Sequence, residues 1–139
     1  MFSSCKTKNT AQTDDITQNN EEKVEMKDEI SKMQEKLIGT WDWEYTVCCG
    51  RNPQTITPEM EGNTISLRFF ENFTVLRVIN GESKTITYDI HYSDIYPDRL
   101  FISFEDAQRP ALIEIDEDKL LINYEYIDLQ REYYIKRSN

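Results

Sequence analysis

Apolar and polar residues alternate along most of the chain after residue 38. In the first such segment, Trp41, Trp43, Tyr45 and Val47 are separated by single polar or charged residues. Because successive side chains of a β-strand point to opposite faces, this spacing predicts a half-buried strand with its aromatic rings inside. The pattern recurs in seven further segments, at residues 65–69, 73–79, 86–92, 100–104, 111–115, 120–126 and 131–137. We therefore expect eight short strands.

Turn-forming residues separate the predicted strands. Asn80-Gly81 is typical of a two-residue hairpin, and Tyr96-Pro97-Asp98 and Asp116-Glu117-Asp118 mark other reversals of the chain. Short, regularly spaced strands favour a sandwich or a barrel, and no segment after residue 37 has the length of a crossover helix. Eight strands in hairpin order can close on themselves without a free edge. The predicted fold is all-β, a single eight-stranded antiparallel up-and-down barrel over residues 39–139.

The turn between the second and third strands leaves two registers open. If Glu71-Asn72 is a two-residue turn, Thr74, Leu76 and Val78 share the inner face and Arg77 lies in water. A shift by one residue instead places Arg77 inside the barrel. We favour the first register because it keeps the guanidinium hydrated.

The first 38 residues differ in composition from the rest. Residues 1–20 are almost entirely polar, so they cannot bury enough apolar surface to fold, and we expect a flexible, disordered tether. Residues 21–38 carry Met26, Ile30, Met33 and Leu37 at helical spacing, which predicts one amphipathic helix. We expect its last turns to cover one mouth of the barrel as a lid. A helix that binds a partner protein is the alternative.

Charge and motif content exclude several classes of function. The net charge is −10 and no basic cluster is interleaved with the aromatic residues, which is unfavourable for binding nucleic acid. The chain has no Gly-rich phosphate loop and no Gly-x-Ser-x-Gly nucleophile motif. His91 is the single histidine, and no CxxC pair supports a zinc site. We therefore expect a protein that is not an enzyme and that uses no metal and no cofactor.

Cys48 and Cys49 end the first predicted strand. Neighbouring strand residues point to opposite faces, so the two thiols cannot readily chelate one ion, and a vicinal disulfide requires a strained ring. We interpret the pair as two small apolar side chains. A bridge from Cys5 to either of them is an alternative in an exported protein.

Two positions at the ends of the predicted barrel resemble a known family. Gly39-x-Trp41 opens the first strand and Arg137 closes the last, and such a pair is found in the lipocalin (calycin) superfamily; the stretch from Asp118 to Arg137 is similar to that of small bacterial lipocalin-like lipoproteins. The resemblance implies that Trp41, beside Gly39, fills the closed end and that Arg137 packs across its ring as a cation–π contact. It also implies a container for a small ligand.

The first residues suggest a membrane anchor. Met1-Phe2-Ser3-Ser4-Cys5-Lys6 resembles the end of a bacterial lipoprotein signal, in which small residues precede a lipidated cysteine. Cys5 is therefore a candidate lipidation site, and this lipid would be the protein's only link to a membrane. If an export signal precedes it, the expected location is the cell envelope, in the periplasm or at the outer membrane. Otherwise we expect a cytoplasmic protein whose polar tail carries one free thiol.

An eight-stranded barrel can be filled by side chains or can hold one small ligand. Nine aromatic side chains are predicted to point inward, enough to fill much of a short barrel: Trp41, Trp43, Tyr45, Tyr88, Tyr92, Phe104, Tyr124, Tyr126 and Tyr133. Trp43, Tyr45, Tyr88 and Tyr124 are the candidate ligand contacts, with core packing as their alternative role. We expect a non-enzymatic module that binds a small apolar or amphipathic molecule. The alternative is a solid barrel that binds or inhibits a partner protein through loops 51–61, 93–98 and 105–110.

Overall fold

A computed structural model describes residues 28–138 of the chain. Within them, helix α1 covers residues 28–37, helix α2 covers Pro58–Glu61 and a 3₁₀ turn, η1, covers Glu125–Ile127. The strands are β1 Gly39–Cys48, β2 Gln54–Ile56, β3 Ile65–Phe69, β4 Thr74–Ile79, β5 Glu82–Tyr92, β6 Leu100–Phe104, β7 Ala111–Asp116, β8 Lys119–Asn123 and β9 Arg131–Lys136.

Eight of these strands form a closed antiparallel barrel. Each is hydrogen-bonded to its neighbours in the order β1-β3-β4-β5-β6-β7-β8-β9, and the pairing of β1 with β9 closes the cylinder. The three-residue β2 lies outside this ring and pairs with residues 46–48 at the end of β1. The predicted all-β, eight-stranded antiparallel barrel is confirmed.

The connections divide between two ends of the barrel because the strands run alternately up and down. One end, which we call the closed end, receives the last turn of α1 and the turns 70–73, 93–99 and 117–118. The other, the open end, receives the connections 49–64, 80–81, 105–110 and 124–130. The predicted rim loop 93–98 therefore lies at the opposite end from the other two.

The closed end is packed with apolar side chains. Trp41 is fully buried, and its indole N–H donates a 2.8 Å hydrogen bond to the carbonyl oxygen of Leu37, the last residue of α1. Leu37 is also fully buried, and the side-chain amide of Gln34 donates to the carbonyl oxygen of Glu71 in the β3–β4 turn. These contacts fix the last turn of α1 on this end. The surrounding core is Phe69, Val75, Ile86, Ile102 and Leu120.

A β-bulge changes the face on which Tyr45 lies. Trp43 pairs with Tyr134, but Tyr45 pairs with Tyr133, so β1 has one extra residue between the two pairs. An extra residue reverses the alternation beyond it. Trp43 therefore stays inside, while Tyr45 turns outward and stacks on Tyr133 with ring centroids 4.4 Å apart. The prediction that Tyr45 and Tyr133 point into the barrel is wrong.

The β3–β4 turn contains one residue more than predicted. The N–H of Phe70 donates to the carbonyl oxygen of Thr74, which encloses a three-residue loop, and Phe73 has a left-handed conformation with φ 62°. A residue with positive φ after the turn is typical of three-residue hairpin loops. The added residue moves β4 by one position, so that Leu67 pairs with Arg77 and both lie on the inner face. The predicted register, which kept Arg77 in water, is wrong.

A small aromatic cluster covers part of the outer wall. Phe101 points away from the interior but is buried, because Tyr96 from the β5–β6 loop and Tyr126 from η1 pack on it at centroid distances of 6.1 and 5.4 Å. The Tyr126 hydroxyl donates to the carbonyl oxygen of Pro110. The alternation predicted Tyr126 inside the barrel. That prediction is wrong because β8 ends at Asn123 and η1 carries Tyr126 onto the outer wall.

The chain divides into two compact units after Lys32. Of the first unit the structure describes residues 28–32, where Lys32 forms ion pairs with Asp28 at 3.1 Å and Glu29 at 3.7 Å. The hydrogen bond and charge of Asp28 raise the pKa of Lys32. The predicted tether, Cys5 and the first part of the predicted helix lie outside the described residues. Within residues 28–138, neither helix has the length and apolar character of a membrane-crossing segment.

Candidate functional site

The interior of the barrel is not filled at the open end. Two cavities of about 200 and 280 Å³ lie there, and both are lined by Ile65, Glu132 and Tyr134. The first also contacts Arg77 and Tyr124. The second extends along β1 and β2, where its lining includes Trp43, Thr46, Cys48 and Ile56. We call the two together the open-end cavity.

Arg77 enters the open-end cavity paired with a carboxylate. Its guanidinium donates two hydrogen bonds to Asp106 of the β6–β7 loop, at 2.5 and 3.3 Å. The ammonium of Lys84 approaches the same carboxylate at 3.7 Å. The hydrogen bonds to Asp106 raise the pKa of Arg77, and they lower the pKa of Asp106. Arg77 therefore stays charged inside the barrel, with Asp106 as its counter-charge.

Glu132 is a second carboxylate, on the inner face of β9. The Tyr134 hydroxyl donates to one of its oxygens and the side-chain amide of Gln130 donates to the other, each at 2.9 Å. Both donors are uncharged. Within residues 28–138, no ion pair joins Glu132 to a basic side chain. The carboxylate is thus held in place by neutral groups while it lines both cavities.

Two tyrosines bring hydroxyl groups to the same place. Burial, assisted by the charge of Glu132, raises the pKa of Tyr124 to about 12. Tyr134 is 5 % exposed, and burial together with the nearby Glu132 raises its pKa well above the ordinary tyrosine value. Both phenols therefore stay protonated at neutral pH and serve as hydrogen-bond donors.

Trp43 forms the apolar wall of the second cavity. It is 9 % exposed, and its indole N–H donates a 2.8 Å hydrogen bond to the hydroxyl of Thr46, on the other side of the β1 bulge. Because the polar edge of the ring has a partner within the protein, the ring offers the cavity apolar and π surface. Ile56 and Ile65 extend this wall.

The four predicted ligand contacts separate into two groups. Trp43 and Tyr124 line the open-end cavity. Tyr45 lies on the outer wall because of the β1 bulge. Tyr88 is buried at the closed end, where its hydroxyl donates to the carbonyl oxygen of Phe70 and its ring meets Phe69 edge to face at 5.2 Å. Tyr45 and Tyr88 therefore stabilise the fold and do not reach the cavity.

The closed end is sealed by Trp41, as the family resemblance implied, but the cation above its ring is a different residue from the one expected. Trp41 fills the closed end, but the Arg137 guanidinium donates to the carboxylate of Asp42 on the outer wall, at 3.0 and 2.5 Å. The cation above the indole is Lys136, whose ammonium lies 5.5 Å from the ring centroid. Lys136 is the strand partner of Trp41, so the two share a face and residue 137 falls on the other. Gly39 has φ 131°, and a Cβ there would come within 3.1 Å of the Lys136 side chain.

A recess of about 700 Å³ lies at the rim beside the end of β1. Its lining combines loop 49–53 with η1 and Arg131, and Arg131 pairs with Glu125 at 3.5 Å. Here the structure joins Cys48 to Cys49 as a vicinal disulfide, across a cis peptide bond. The interpretation of the pair as two separate apolar thiols is therefore wrong. Because β1 ends at Cys48, the alternation that separates neighbouring strand residues does not extend to Cys49.

The remaining candidate groups are not gathered into a further site. His91 lies on the outer wall, where its ring nitrogen is 2.7 Å from the hydroxyl oxygen of Ser103. In the part of the chain that the structure describes, no three His, Cys, Asp or Glu side chains are arranged to hold a metal ion. Comparisons with protein-family models, curated proteins and solved structures found no match. Interpretation of the open-end cavity therefore depends on its own geometry.

The polar half of this cavity was not predicted from the sequence. The register predicted for β4 places Arg77 on the outer wall, and the predicted inward position of Tyr133 places its neighbour Glu132 there as well. In β9 both faces carry a tyrosine, Tyr133 or Tyr134, so the alternation alone does not identify the inner face. A three-residue turn at 71–73 is the feature that would have placed Arg77 inside.

Proposed function

We propose that this protein is a non-enzymatic binding module that holds a small amphipathic molecule in the open-end cavity. The observation that carries the proposal is the mixed lining of that cavity, in which Arg77 and Glu132 share the barrel interior with Trp43. Burying charged groups is unfavourable unless they are paired, so apolar residues would serve stability better at these positions. A concave site with apolar walls and a few convergent polar groups is typical of ligand binding.

The volume of the cavity limits the size of the ligand. The two parts measure about 200 and 280 Å³, and each by itself is smaller than the roughly 300–1,000 Å³ of common ligand pockets. The closed end is filled by Trp41 and its neighbours, so a ligand cannot extend along the barrel axis. A molecule with one ring or a short chain fits these limits better than a long fatty acid.

The proposal includes the class of the protein and its location. An eight-stranded barrel stoppered by Trp41, with a cation above the indole, supports a small lipocalin-like protein, although the cation is Lys136 and not Arg137. An exported form anchored through a lipid on Cys5, in the cell envelope, is the location that the N-terminal sequence favours. We propose no cofactor for this module.

A spectroscopic titration tests the binding function. The full-length protein, labelled with ¹⁵N, is titrated with a library of small amphipathic compounds while amide shifts are recorded. We expect saturable shifts at Ile65, Tyr124 and Glu132, because these residues line the cavity. Amides around Val75, in the core of the closed end, should stay unchanged.

A pair of matched variants locates the ligand. Ile65→Trp places a large ring in the cavity and should abolish binding, whereas Ile95→Trp adds the same ring at a loop position that is 73 % exposed at the closed end. The second variant should bind as the wild type does. Binding that survives Ile65→Trp in a folded barrel would place the ligand elsewhere. A library without any binder would favour the alternative, a scaffold that binds a partner protein through its loops.

A further inference from the structure

The charge of the open-end cavity indicates the class of its ligand. Of the described residues that line the 280 Å³ part, Glu132 is the one charged side chain, and it lies there with Trp43 and Tyr134. We propose that this cavity selects a small organic cation, such as a protonated amine, whose charged group binds Glu132 and whose apolar part packs on Trp43. This inference rests on the proposed function, because it names the ligand class for the same cavity.

Glu132 has unused capacity to accept hydrogen bonds. An ionised carboxylate offers about four lone-pair positions, and here two are taken, by Tyr134 and Gln130. These neutral donors orient the carboxylate without cancelling its charge. The charge of Arg77 acts on Glu132 across the cavity, but within residues 28–138 no ion pair joins the two. A cation that enters the cavity can therefore still pair directly with this half-buried carboxylate. An ammonium group supplies both the charge and the N–H donors.

The basic side chains around the cavity are engaged by other carboxylates. Arg77 gives both of its hydrogen bonds to Asp106, and Lys84 reaches that carboxylate from outside. At the rim, Arg131 is paired with Glu125. An anionic ligand would therefore have to compete with Asp106 for Arg77 while it faced the negative charge of Glu132. A neutral ligand could donate a hydrogen bond to Glu132 but would supply no positive charge.

Aromatic rings line the same cavity as the carboxylate. The faces of Trp and Tyr rings attract organic cations, most strongly where water is excluded. The indole N–H of Trp43 is bound to Thr46, so it does not compete with the ligand for Glu132. The net charge of −10 also raises the local concentration of cations around the protein. The aromatic rings and the net charge therefore favour a cationic ligand, as Glu132 does.

Three probes of similar size and different charge test the inference. Benzylamine is cationic, benzyl alcohol is neutral and benzoate is anionic, and each has a single ring of a size that suits the cavity. Their affinities for the full-length protein are measured by isothermal titration calorimetry. Both probes can donate a hydrogen bond to Glu132, but only benzylamine adds a positive charge, which strengthens such a bond roughly twofold. We therefore expect benzylamine to bind about ten- to a hundredfold more tightly than benzyl alcohol. Benzoate should show no measurable binding.

A matched pair of variants tests the role of Glu132. Glu132→Gln keeps an acceptor for Tyr134 but removes the charge, so benzylamine should lose its advantage over benzyl alcohol. Glu114→Gln removes one charge from the outer wall, where Glu114 pairs with Arg99 at 2.6 Å, and should leave the preference intact. Circular dichroism checks that both variants fold. If Glu132→Gln does not fold, the ranking of the three probes on the wild type decides.

The outcomes separate this inference from the proposed function. Equal affinity for the amine and the alcohol, or tightest binding of benzoate, overturns the cation preference but leaves a binding module. A preference for benzylamine that persists in folded Glu132→Gln excludes Glu132 as the anchoring group. Failure of all three probes, together with failure of the whole compound library, overturns both proposals.

Discussion

At the closed end of the barrel, Trp41, Leu37 and Phe69 are at most 1 % exposed, whereas at the open end the same cylinder carries Arg77 and Glu132 on its inner face. Both ends are formed by the same eight strands with continuous pairing around the ring. The difference therefore lies in which side chains the strand registers place on the inner face at each end. The closed end has a filled apolar core, and the open end has an unfilled cavity with polar and charged side chains.

This contrast shows how a small barrel can have both a stable core and a polar cavity. Unfilled volume and buried charge both lower the stability of a folded domain. Here they are confined to one end, while the last turn of α1 and the apolar core around Trp41 stabilise the other. Substitutions at the two ends should therefore have different effects on stability.

The largest effect is expected from removing the indole at the closed end. Trp41→Ala should lower the free energy of unfolding by about 3–5 kcal/mol, because it leaves a void in a filled core. Trp43→Ala should cost less, about 1–3 kcal/mol, because this ring already borders a cavity. Urea denaturation of the two variants measures the difference. Equal losses would mean that the two ends are packed alike.

A smaller effect, with a characteristic pH dependence, is expected at the open end. Asp106→Asn removes the counter-charge of Arg77 and should cost about 1–2 kcal/mol at neutral pH. Because Arg77 lowers the pKa of Asp106 in the folded state, the wild type has this advantage above the unfolded-state pKa of about 3.9. It loses the advantage as the pH falls through the lower, folded-state pKa. The difference between wild type and variant should therefore shrink in strong acid.

Urea denaturation of the wild type and Asp106→Asn is measured at neutral pH, at a mildly acidic pH above the unfolded-state pKa of Asp106, and at a strongly acidic pH below its folded-state pKa. Glu114→Gln, taken from the exposed pair with Arg99, serves as the control and should have little effect at any of them. A difference between wild type and Asp106→Asn that did not change with pH would contradict the pairing of Asp106 with Arg77.

The smallest effect distinguishes two basic residues at the closed end. Lys136→Ala removes the ammonium above Trp41 and should lower the free energy of unfolding by about 0.5–1 kcal/mol. Arg137→Ala breaks a surface pair with Asp42, so it should have a smaller effect that disappears at high salt. Thermal unfolding at low and high salt separates the two. A greater loss for Arg137→Ala would support the contact between Arg137 and Trp41 that the family resemblance implied.

The strands and their order were predictable because alternation and turn residues are local properties. The inner face of each strand was less predictable, because one added residue reverses all positions beyond it. In β1 that residue lies in a bulge between Trp43 and Tyr45. In the β3–β4 turn it is Phe73, and a bulky residue at positive φ is not expected from sequence.

The candidate site was only half predictable for the same reason. Trp43 and Tyr124 could be identified as inward-facing aromatics. Arg77 and Glu132 could not, because a preference for hydrated charges favours the register that places them outside. The chain departs from this preference at the open end, where Asp106 neutralises Arg77 and neutral donors hold Glu132. Such departures from ordinary patterning are concentrated at functional sites.

The segment that carries Tyr124 is fastened from outside the barrel. The carbonyl oxygen of Tyr124 accepts hydrogen bonds from the amides of Ile127 and Leu129, and Tyr126 is held against Phe101. The position of Tyr124 at the cavity is thus determined while the chain folds. A ligand of the proposed class would therefore meet a preorganised opening, and the entropy of ordering this segment would not weaken its binding.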